Sequence, residues 1–124
     1  MKKLSFLLVL ISVVFSQCSK NFDGACVRGK IIRSTCASMV IQVLNNDTVG
    51  VDGWKDAFSN NTYDNVFTVS NTCKIDFPDD LLQGQEFYFE IEKADLSNCI
   101  VCMMNDSPPN SIYKVSKVSK TSCK

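Results

Sequence analysis

Hydrophobic and polar positions alternate most cleanly at 86–92. Phe87, Phe89 and Ile91 fall on one side; Glu86, Tyr88, Glu90 and Glu92 fall on the other. A period of two predicts a strand with one dry face and one wet face. Residues 27–35 read as an earlier strand, apolar at Ile31 and Ile32, with Gly29 marking a bulge. Residues 38–44 are apolar and β-branched, which predicts a largely buried strand closed by the turn residues Asn45, Asn46 and Asp47. Further strands are expected at 66–70, 99–104 and 112–118. The last carries Lys114, Lys117 and Lys120 at every third position, which breaks strand alternation and predicts a solvated, frayed tail.

One helical turn is expected at 78–82. Pro78 suits its start, Asp79 and Asp80 suit its positive end, and Gly84 suits its stop. Five or six strands, with that turn ahead of the strand at 86, predict an all-β domain stapled by disulfides. The order resembles the small Greek-key barrel called the OB-fold, with a β-sandwich as the alternative.

The stretch 45–65 is long, polar and rich in Asn, Asp and Gly, yet it holds the single tryptophan, Trp54, with Phe58 and Tyr63. Trp54, Lys55, Asp56, Tyr63 and Asp64 form the candidate ligand-binding surface. Rings supply contact area and polar groups supply direction, which suits a glycan or peptide ligand. The competing reading folds these aromatics down onto the core.

The N-terminus has a different pattern. Met1-Lys2-Lys3 precedes an apolar run from Leu4 to Phe15, interrupted by Ser5 and Ser12, and the chain turns polar at Ser16-Gln17-Cys18-Ser19-Lys20. This is the layout of an export signal, too short for a membrane-spanning helix. The expected organisation is a signal peptide at 1–17, a lipid-anchored tether at 18–25 and a single β domain at 26–124. Cleavage after Ser16 by an ordinary signal peptidase is the alternative.

Phe15-Ser16-Gln17-Cys18 is similar to a bacterial lipobox, with Gln17 in place of the usual small residue, and the run Cys-Ser-Lys resembles lipoproteins of the Bacteroidetes type. A weaker similarity to uncharacterised small exported proteins of that kind lies in Ile32-Arg33-Ser34-Thr35-Cys36-Ala37, Gly53-Trp54-Lys55-Asp56, Tyr63-Asp64-Asn65-Val66-Phe67 and Cys99-Ile100-Val101-Cys102. The resemblance implies acylation of Cys18 and a cell-envelope address as an outer-membrane lipoprotein, with a secreted soluble form as the alternative. It implies no activity.

The seven cysteines are Cys18, Cys26, Cys36, Cys73, Cys99, Cys102 and Cys123. An odd number in an exported chain leaves one unpaired; acylation of Cys18 leaves six for three disulfides. Cys26 with Cys123, bracketing the domain, is the best single pairing. Cys99 and Cys102 have the spacing of a thiol redox pair, but on a strand residues three apart face opposite ways, so they are expected to serve different bridges.

The chain carries 13 basic and 13 acidic residues, and loss of Lys2 and Lys3 tips the remainder slightly acidic. No concentrated basic face suggests nucleic acid. The absence of histidine removes histidine-dependent catalysis and histidine metal sites. No catalytic motif or cofactor signature stands out, and the Asp groups at 47–56 and 76–80 do not match spaced calcium ligands. The expectation is a non-enzymatic, lipid-anchored binding or structural module. The alternatives are an exported thiol oxidoreductase using Cys99 and Cys102, or a secreted inhibitor-like protein.

Overall fold

The computed structural model describes residues 24–95 and 99–123. Its strands, in chain order, are β1 (Ala25–Ser34), β2 (Met39–Val43), β3 (Trp54–Lys55), β4 (Thr62–Tyr63), β5 (Val66–Val69), β6 (Glu86–Lys93) and β7 (Ile112–Ser119). Five close into a barrel in the order β1-β2-β5-β7-β6, while β3 and β4 pair as a separate hairpin. Barrel neighbours are antiparallel except β5 and β7, which run parallel through Thr68–Ile112 and Val69–Tyr113. This is an OB-like Greek-key barrel. Cys18 and the signal at 1–17 lie outside the described residues.

Alternation builds the interior. Phe87, Phe89 and Ile91 are fully buried and join Val27, Ile31, Ile41, Val43, Phe67 and Val115 in one cluster. Aromatic rings dominate it: Phe87 and Phe89 lie 5.0 Å apart between centroids, and Tyr113 meets Phe67 edge-on at 5.3 Å. Gly29 sits in regular register against both Val43 and Phe87, so it is not the bulge. A Cβ there would lie 2.9 Å from Phe89 Cε1, so glycine is required by close packing as β1 coils between two neighbours.

The bulge is at Ile32. Ile31 pairs with Ile41, but Arg33 pairs with Val40. Cross-strand partners share a face. Ile41 and its β5 partner Phe67 point into the core, so Val40, its partner Thr68, and Arg33 point outward. One extra residue thus moves an arginine out of the barrel interior.

Three further expectations are corrected. Residues 78–82 form a turn, with Leu81 N–H donating to Pro78 O at 2.8 Å, and the short 3-10 turn falls earlier, at Thr72–Lys74. Ile75, Phe77 and Leu81 of this segment pack against the core. Residues 99–104 form no strand. The tail 112–118 is not frayed: β7 closes the barrel, with Val115 buried and its backbone held by the Asn71 side chain in both directions, at 2.9 and 3.0 Å. A β7 bulge explains the lysine spacing. Lys117 adopts a left-handed φ of 49° and, with Val118, stands opposite the single residue Phe89. Lys114, Lys117 and Lys120 thereby reach Glu92, Glu90 and Asp80 respectively.

Three disulfides staple the barrel: Cys26–Cys123, Cys36–Cys102 and Cys73–Cys99. The first spans a sequence separation of 97. Closure of a loop of roughly 100 residues is worth about 4–5 kcal/mol in the chain-entropy account. Three disulfides are consistent with an exported protein.

Candidate functional site

The outer face of β2 and β5 is where such barrels take oligonucleotides and oligosaccharides. Here the chain covers it. The stretch after β2 crosses over β5 through the Val51–Val66 bridge. Gly50, at φ 89°, makes that crossing, and a Cβ there would meet Val66 O at 2.6 Å. From the other side the β6–β7 connection arrives, anchored by Thr68 Oγ1 donating to Pro109 O at 2.7 Å. Val40, Val66 and Pro109 are consequently buried.

Beneath this cover lies an ionic cluster. Arg33, Asp56, Asp106 and Ser38 are each under one-tenth exposed. Arg33 Nη1 donates to Asp56 Oδ1 at 2.7 Å, and Arg33 Nη2 lies 3.6 Å from Asp106 Oδ2. Thr35 and Ser38 hydroxyls each donate to Asp106 Oδ2 at 2.6 Å. Ser59 gives Asp56 two more hydrogen bonds, from its hydroxyl at 2.7 Å and its backbone N–H at 3.1 Å. Burial alone raises the pKa of Asp56, but the Ser59 and Arg33 bonds outweigh it and hold the carboxyl below its ordinary 3.8. Asp106 shows the same balance: burial raises, while Ser38, Thr35 and the Arg33 charge lower more strongly. Asp56 is bonded at both of its oxygens, while the side-chain contacts to Asp106 converge on Oδ2.

The Arg33 guanidinium also stacks on rings, 5.0 Å from the Trp54 centroid and 5.2 Å from that of Phe58. Trp54 is the hinge between the two covering segments. Its indole N–H donates to Ser107 O at 3.1 Å, and Tyr63, its hairpin partner, lies 6.3 Å away. A shallow open cleft of 570 Å³ runs along this seam, lined by Trp54, Lys55 and Asp52 on one side and Pro108, Pro109 and Asn110 on the other.

The five residues expected to form a ligand surface therefore separate. Trp54 is half-buried and Lys55 exposed, and both line the cleft. Tyr63, directly opposite on the paired strand, shares the hairpin face of Trp54. Asp64 is exposed, its Oδ1 accepting the Gly53 N–H at 2.7 Å. Asp56 faces inward and holds the hairpin down, so it is not a contact residue. Sequence reasoning passed over Arg33, Asp106 and the Pro108–Asn110 wall. A charged residue at a position where β1 alternation predicts burial was the available signal for Arg33.

Cys99 and Cys102 belong to two different bridges. Among the described residues no three potential metal ligands gather. No protein-family model matches the chain, and no curated protein matches it.

Proposed function

We propose that this is a lipid-anchored binding module of the cell envelope, and that its ligand, a glycan or an extended peptide, lies in the cleft beside Trp54. One observation carries the reading: the tryptophan is fixed on one face by Arg33 and at its N–H by Ser107, yet it lines an open cleft. A ring held in place before the ligand arrives loses little entropy on binding. Asp52, Lys55 and Asn110 surround it with one acid, one base and one amide, which suits hydroxyls or peptide groups better than a charged polymer.

The anchor rests on the Cys18 context and on the six paired cysteines that leave it as the odd one. Intact mass of the mature protein is expected to show acyl chains on an N-terminal Cys18; an unmodified N-terminus at Gln17 refutes the anchor. For the cleft, neutral oligosaccharides and proline-containing peptides are titrated while Trp54 fluorescence is followed. Saturable change, weakened at least tenfold by Lys55→Ala with Asn110→Ala, supports the site. Binding unaffected by those changes removes it.

A further inference from the structure

The β6–β7 connection carries the most exposed apolar side chains of the described residues. Ile100 is 99% exposed, Met103 fully so, and Val101 and Met104 are 51% and 40% exposed. Soluble surfaces rarely cluster such residues without a use. Two disulfides fix the tip at its base. Cys99 is bonded to Cys73 and Cys102 to Cys36, and the Cys102 N–H donates to Cys36 O at 3.2 Å.

The character of the tip narrows its occupant. From Ala94 to Tyr113 there is no Lys or Arg, and the only acids are Asp95 and the buried Asp106. A specific protein interface of ordinary size buries about 800 Å² per partner, more than a tip of four side chains supplies. A convex apolar tip enters lipid without needing a matching shape. An acyl group on Cys18 would sit within about 20 Å of Gly24 even with the intervening chain fully stretched, which keeps the whole barrel beside the bilayer; this argument rests on the anchor reading above.

We propose that Ile100, Val101, Met103 and Met104 insert into the bilayer interface as an uncharged wedge, setting the barrel's orientation on the membrane. One exposed cation, Lys74, adjoins the tip through the Cys73–Cys99 bridge, so insertion draws mainly on apolar burial and depends only weakly on anionic lipid and on salt.

The mature chain made with Cys18→Ser isolates the tip from any acyl group. It is sedimented with vesicles of pure phosphatidylcholine, and of phosphatidylcholine with phosphatidylglycerol, at low and high salt. The expected result is partitioning into both, changed less than tenfold by phosphatidylglycerol or by salt, and reduced at least tenfold by Ile100→Asp with Met103→Asp. Both side chains are exposed, and near-ultraviolet circular dichroism checks that the variant keeps its fold. No partitioning overturns the proposal and leaves a protein cleft as the occupant; equal partitioning of the variant, or binding that needs phosphatidylglycerol, overturns it too. Absence of acylation in the wild-type mass would sink the anchor while leaving this vesicle result to stand.

Discussion

The two sides of the barrel wall are held by opposite chemistry. Inside, Phe67, Phe87, Phe89 and Ile91 pack with no polar partner. Outside, over β2 and β5, the covering loops close on Arg33, Asp56 and Asp106. The inside gains from burial in proportion to apolar area and tolerates no gap. The outside gains only while each charge keeps its partner, because an unpaired buried charge costs more than the pair contributes. The interior therefore sets whether the barrel forms, while the ionic cluster sets where two loops lie. That division separates the stable frame from the adjustable surface, and the cleft belongs to the second.

Substitutions on the two sides are expected to behave differently. Phe89→Ala should have the largest effect, about 3–5 kcal/mol lost from urea unfolding, at every pH. Asp56→Ala should cost about 3 kcal/mol at neutral pH, since Arg33 then keeps only the longer Asp106 contact as an ionic partner. Acid should abolish that difference. Asp56 and Asp106 both have folded pKa values below the ordinary 3.8, so their contribution is complete above that value and is lost as pH falls through the folded values. Wild type and Asp56→Ala should converge in urea midpoint toward pH 2, while the Phe89→Ala gap persists. Persistence of the Asp56→Ala gap in acid would mean that the side chain acts by packing alone. The smallest effect is expected from Lys117→Ala, below about 1 kcal/mol, because the Lys117 side chain is itself 62% exposed; a larger loss would show that the β7 bulge, not the pair, depends on this residue.

The same division explains what could be read from the residues alone. Period-two alternation at Glu86–Lys93 and the β-branched run of β2 report the interior directly, because a strand's inward side chains are fixed by its own sequence. Cysteine parity and bracketing positions pointed to the Cys26–Cys123 bond. The outer cluster was hidden, since Arg33 meets Asp56 across 23 residues and its facing depends on one extra residue at Ile32. Residues 99–104 read as a strand because they are apolar. Their bridges to Cys36 and Cys73 instead hold them away from any sheet, and hydrophobicity cannot distinguish a buried strand from a presented tip. Trp54 stood out as the one tryptophan in a polar stretch, but its proline wall lies more than 50 residues onward and had no local mark.

The bond between Cys26 and Cys123 also has a mechanical meaning. A chain of that separation, unravelled, would extend by roughly 320 Å, yet its two ends are joined across a Cα–Cα distance of 5.7 Å. Tension applied between the N-terminal tether and the last residues would pass through the sulfurs and bypass the strands. Pulled by its ends in single-molecule force spectroscopy, the oxidised domain should show no unfolding step, and the full contour length should appear only after reduction.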